Sequence, residues 1–128
     1  MINTKKAKAA LAAAFNDYTA HPCYYDNAPA RAKLPYSVIK NVHISPLNAG
    51  DLLSFTLEIH ADDTAQNSAE SLETLCDNYR NAADGSLLTD KETFYGHINF
   101  DSQDDGSQDA EADLSHRQQL YSLRLFYL

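Results

Sequence analysis

The sequence predicts an α+β fold, a mainly antiparallel four-stranded sheet packed by two helices in the order α-β-β-α-β-β, within one domain spanning residues 1–128. Three observations predict it. Leu53 to His60 and Thr93 to Asp101 alternate apolar with polar residues, which gives a strand one buried and one wet face. Two other stretches repeat apolar residues at helical steps of three and four. The segment Arg117 to Leu128 reads as a strand that must pair inside a sheet, since unpaired it would leave Leu123, Leu125, Phe126 and Tyr127 wet.

The first helix covers about Thr4 to Tyr18, where nearly every residue is a good helix former and Thr4 can cap the start. Ala7, Leu11, Ala14, Phe15 and Tyr18 make its thin apolar stripe, which faces a sheet or a neighbouring subunit. Alanine in this stretch also resembles a short signal segment behind a basic flank, but Lys8 interrupts it and a helix explains the same residues. Pro22, Pro29 and Pro35 punctuate a surface connection in which Cys23, Tyr24 and Tyr25 are the anchors. Leu34 to Ser45 is rich in β-branched and aromatic residues and forms the first strand, and Pro46 with Asn48-Ala49-Gly50-Asp51 turns the chain into the second.

Asp62-Asp63-Thr64 is expected to cap a second helix, whose stripe is Ala65, Ala69, Leu72, Leu75, Cys76, Tyr79 and Ala83 and which Gly85 stops. Leu87-Leu88 reads as a turn of helix. The third strand follows, with Phe94, Gly96, Ile98 and Phe100 on one face. About 101–113 the chain holds six carboxylates among Ser, Gln and Gly and no large aliphatic residue, which describes a solvated, mobile acidic loop. The fourth strand closes the fold, so hairpins join the first strand to the second and the third to the fourth.

Composition excludes several functions. No apolar run approaches the length of a membrane span, and the mean hydropathy is −0.46. A net charge of −8 with ten Lys and Arg argues against a surface that grips nucleic acid, because that affinity comes from clustered cations releasing counterions. Cys23 and Cys76 lack any C-x-x-C or Cys/His cluster and read as reduced; Cys76 lies on an apolar helical stripe, the ordinary place for a core cysteine. His97, Asp101, Asp104, Asp105, Asp109, Asp113 and His116 share one region, but Asp101 to Gly106 departs from a calcium loop at its third position and carries no Glu at its end. Of His43, His60, His97 and His116, no two have the i, i+4 spacing of a helical zinc site. Glu70 with Glu73, and Glu111 with Asp113, lack the apolar setting that acid/base work needs. The glycines never cluster as in a phosphate cradle. The sequence therefore predicts no catalytic residue, cofactor or metal.

Eight tyrosines are the unusual enrichment, among them Tyr24, Tyr25, Tyr36, Tyr121 and Tyr127. A large ring with a polar tip suits subunit contacts and suits half-buried strands equally.

The layout resembles the tail completion, or tail terminator, proteins of long-tailed bacteriophages and prophages. The resemblance covers nearly the whole chain. It rests on the order and length of the elements, on Leu34-Pro35-Tyr36 entering the first strand, on the aliphatic/His-Ala-Asp-Asp turn at Ile59 to Asp63, and on Arg124-Leu125-Phe126-Tyr127 closing the last. It implies a non-enzymatic virion protein, assembled in the bacterial cytoplasm, that forms a ring of usually six copies, ends the tail tube and joins tail to head. The implied partners are other copies, the tail tube and head-completion proteins. Leu11, Phe15, Tyr18, Tyr24, Tyr25, Asp104, Asp105 and Asp109 are the candidate interface residues. The acidic loop is longer and more charged than the family's hairpin tip, and it lines the lumen or becomes ordered on a partner. Two other readings fit the same elements: another neck or head-tail connector component, and a small bacterial binding module unrelated to phage.

Overall fold

A computed structural model describes residues 4–62, 72–104 and 114–128. Along the chain the elements are α1 (Thr4–Thr19), β1 (Cys23–Tyr25), β2 (Tyr36–Pro46), β3 (Asp51–Asp62), α2 (Leu72–Ala83), β4 (Leu87–Thr89), β5 (Phe94–Asp104) and β6 (Leu114–Tyr127). The strands form one six-stranded mixed sheet, in the order β1-β2-β3-β6-β5-β4, curled into a half-barrel. β1 runs parallel to β2, and every other neighbouring pair is antiparallel.

This corrects the predicted four-stranded sheet and its α-β-β-α-β-β order. The two additional strands have three residues each, too few for alternation to register. β1 arises inside the proline-punctuated segment, and its parallel register, Tyr24 beside Val38, depends on the chain returning through Tyr36. β4 takes the place of the expected helical turn, with Leu88 opposite Gly96. β3 runs on to Asp62, which is therefore a strand residue and not the start of the second helix. The remainder of that expected cap and Ala65 and Ala69 fall outside the described residues. β5 extends past its predicted end through an irregularity between Phe100 and Ser102 and pairs Asp104 with Gln118. The first residues of the predicted acidic loop are thus strand, and 105–113 lie outside the described residues.

Both helices cover one face of the sheet. On α1, Ala7, Leu11, Ala12 and Phe15 are buried; on α2, Leu72, Leu75, Cys76, Tyr79 and Ala83 are. They meet Leu53, Phe55, Leu57 and Ile59 of β3, Phe94 and Ile98 of β5, and Tyr121, Leu123 and Leu125 of β6. Phe15 is the hub: its ring centroid lies 5.3 Å from Tyr121, 5.7 Å from Phe55 and 6.0 Å from Tyr79. The polar atoms inside this core are paired. Gln119 donates to the Cys76 carbonyl oxygen and to Gln103 at 2.9 Å, and accepts the Tyr121 hydroxyl at 2.6 Å. Tyr79 donates to Ser37 at 3.2 Å. Burying such groups is tolerated only when they find partners, so the network fixes how α2 sits on the sheet.

Gly50 carries the turn from β2 to β3 at a φ of 77°, and a β-carbon there would collide with the carbonyl oxygen of Leu125. The β2–β3 turn therefore lies tightly against the end of β6. Tyr127 on β6 also donates its hydroxyl to Asp51 on β3. Among the described residues no helix is long and apolar enough to cross a membrane.

Candidate functional site

Alternation along the strands sends one set of side chains into the core and leaves the other on the opposite face, which no described helix or strand covers. By register this face carries Tyr36, Val38, Lys40 and His43 on β2, and Leu52, Ser54, Thr56, Glu58 and His60 on β3. β6 adds His116, Gln118, Leu120, Ser122 and Arg124, and β5 adds Tyr95, His97, Asn99 and Asp104. His43, His60, His97 and His116, four of the five histidines, are on it. So are most of the exposed large apolar residues, Leu52, Leu87, Tyr95 and Leu120. Uncovered apolar groups mixed with cations and imidazoles suit a surface that contacts another macromolecule.

A ladder of rings crosses one end of this face. Tyr24 meets Tyr36 edge-on with centroids 6.1 Å apart, Tyr36 stacks on His60 at 4.9 Å, and His60 stacks on His116 at 5.3 Å. Behind the ladder Glu58 accepts a hydrogen bond from His60 at 3.1 Å and lies 3.3 Å from Lys40. The His60 bond outweighs partial burial and, with Lys40, holds the Glu58 carboxyl down to about 2. His116 is pushed the other way from a charged state: burial first, and the neighbouring His60 second, lower its pKa. Four strands are thereby tied together by a row of side chains outside the core. The sequence placed His60 on a polar strand face but could not bring it beside His116, because nothing in the pattern identified β3 and β6 as neighbours.

The predicted interface residues divide between three environments. Leu11 and Phe15 are completely buried inside the chain's own core, so they present nothing to a second molecule. Of the two surfaces expected to receive the apolar stripe of α1, a sheet or a neighbouring subunit, the sheet takes it. Tyr18 is half-buried, and its hydroxyl donates to Ser86 at 2.5 Å, which in turn donates to the Ala83 carbonyl oxygen at 2.7 Å. Tyr24 and Tyr25 are half-buried on β1, Tyr24 in the ladder and Tyr25 packed on the core. Asp104 is exposed on β5. Asp105 and Asp109 lie outside the described residues.

Among the described residues no three His, Cys, Asp or Glu side chains group as a metal would require. Burial pushes the thiol of Cys23 up to about 11 and that of Cys76 up to about 12, which keeps both protonated. Two grooves on the helical side, about 600 Å³ beside the end of α1 and about 570 Å³ between α1 and the turn from β4 to β5, are lined mainly by Ala, Asn, Thr and Asp and hold neither histidine nor cysteine.

No family model and no curated protein matches this chain. Among solved structures, a chain from the "Virion of native gene transfer agent (GTA) particle" shares its fold with a TM-score of 0.59 at 14% identity. The similarity covers 88% of this chain and 84% of that one.

Proposed function

We propose that this protein is a structural subunit of a phage-type virion, and that it forms a ring which ends the tail tube and joins tail to head. The observation that carries the reading is the fold likeness to a chain of a gene transfer agent virion, a phage-like particle, over nearly the full length of both chains. The uncovered sheet face supports it, since a subunit that meets several neighbours needs a broad surface and needs no deep cleft. The local likeness at Leu34-Pro35-Tyr36 and at Arg124-Leu125-Phe126-Tyr127 is what favours the tail-terminating role in particular. In this role the chain works by assembly, without catalysis, cofactor or metal. Its partners are further copies, six in a ring, together with the tail tube and the head-completion proteins, and its place is the neck of the particle.

Net negative charge keeps free copies apart, and many small contacts add up once a tube end collects them into a symmetric ring. Deleting the gene tests this. Cells lacking the chain are expected to accumulate separate heads and unjoined tails, visible by electron microscopy. Release of intact, infectious particles in normal number would contradict the proposal.

A further inference from the structure

Among the described residues, every large apolar side chain left exposed lies on the uncovered sheet face, on the turn from β2 to β3 or at the end of β6. Register gathers several of them into one band. Leu87 is level with His97 and Leu52 with Arg124, and His97 falls opposite Arg124 between the pairs Tyr95–Phe126 and Ile98–Leu123. The next row toward the end of β6 holds Thr89, Tyr95 and Phe126. Tyr95 stacks on Phe126 with centroids 5.4 Å apart, and the Arg124 guanidinium lies 5.9 Å from the Phe126 ring centroid. Leu87 is 54% exposed, and Leu52 and Tyr95 39% each, so the leucines and the tyrosine are open to a partner and not packed inside the chain.

The band is also free of acid. The chain has eighteen Asp and Glu against ten Lys and Arg, yet none of the eighteen stands in these two rows or in the row behind them, which runs Asn99, Ser122, Ser54, His43. The acids at its margin are occupied: Asp101 accepts the Ser122 hydroxyl at 3.1 Å, and Asp90 accepts the amides of Glu92, Thr93 and Phe94 in the turn after β4. Arg124 thus rests on an aromatic ring and not on a carboxylate. Four strand spacings from β4 to β2 and three rows along the strands give a footprint of about 19 Å by about 14 Å. That is well below the roughly 800 Å² each partner covers in a stable subunit interface, and it matches one helix of about three turns. A two-fold contact between copies centred here would set Arg124 against Arg124, and one cation is too few to grip a phosphate chain.

We infer that this band docks a short acidic segment of a different virion protein, one that presents leucine or aromatic side chains to the sheet and a carboxylate to Arg124. Leu52, Leu87, Tyr95 and Phe126 bury the segment's apolar side chains, and Arg124, held over Phe126, pairs with its acid. Aromatic and arginine side chains are the groups that dominate contacts of this kind, the more so once the apolar rim excludes water. The charge difference selects the partner: an acidic segment gains an ion pair, whereas a basic one meets Arg124 unpaired. The inference rests on the virion reading above and gives the chemistry of one of the partners that reading requires.

Complementation of cells lacking the gene tests it, with the yield of joined particles as the readout and the folding of each purified variant checked by circular dichroism. Arg124→Glu is expected to lower the yield at least about tenfold and Arg124→Lys to retain most of it. Tyr95→Ser with Leu87→Ser is expected to lower it as well, with the fold unaltered. Second-site changes that restore yield to Arg124→Glu are expected in another virion protein, where Lys or Arg replaces Asp or Glu. Such rescue separates docking from a folding defect, because a misfolded chain gains nothing from a charge change in its partner. Three results would overturn the acidic segment and leave the virion reading standing. Wild-type yield from Arg124→Glu removes the site, restoring changes confined to this chain give it to a second copy, and purified chain that retards duplex DNA only while Arg124 is present gives it to nucleic acid. Normal particle yield in cells lacking the gene would overturn both.

Discussion

Phe15 shows what a single side chain does here. Its ring touches aromatic groups from the sheet and from α2, so it holds α1 in place and orders the centre of the core. Truncating a fully buried aromatic leaves a cavity that the packed surroundings fill only in part. Phe15→Ala is expected to lower stability by about 3–5 kcal/mol, read from denaturant unfolding. A loss under about 1 kcal/mol would mean that α1 is not integral to the core. His116 makes a subtler contribution. Burial and His60 depress its folded pKa below the ordinary value of 6.5, so the unfolded chain binds the proton more readily. Its stabilising effect is complete above pH 6.5 and is lost as pH falls through the lowered value. Replacing His116 with Gln should flatten the loss of stability on mild acidification, measured as melting temperature against pH. An unchanged pH profile would contradict the arrangement of the ladder.

At the scale of elements, the turn from β2 to β3 gives the sharpest test. Gly50 combines a positive φ with close contact to the end of β6, and Ala satisfies neither demand. Gly50→Ala is expected to cost about 1–3 kcal/mol in equilibrium unfolding, and a neutral result would argue against β6 lying on that turn. Long elements were legible from residue pattern alone. β3 alternates Leu53, Phe55, Leu57 and Ile59 with polar residues, and α2 repeats Leu72, Leu75, Cys76 and Tyr79 at helical steps. What escaped the pattern was short or non-local. Cys23–Tyr25 and Leu87–Thr89 are strands because longer neighbours offer them hydrogen bonds, and no local preference announces that. The His60–His116 stack was equally hidden, since it exists only because a strand near the middle of the sequence lies beside the last one. The same long-range pairing consumed Leu11 and Phe15 in the interior, where the sequence allowed them to face a neighbour.

Across the whole molecule, division of labour follows from the sheet. Both helices and the aromatic core occupy one face, and the other is left with histidines, Lys40, Arg124 and scattered leucines. The two lateral edges differ as well, one closed by β1 and the other by β4. A body built this way has polarity in three senses, by face, by edge and along its strands, which a ring of identical subunits requires if each copy is to meet the next in one manner. In the proposed function this polarity serves assembly on a larger particle. Purified chain incubated with phage tail tubes from the same host, and imaged by electron microscopy, puts the proposal to the test. A compact ring of density is expected at one end of each tube, with none along the shaft. Tubes with both ends bare at saturating protein would contradict it.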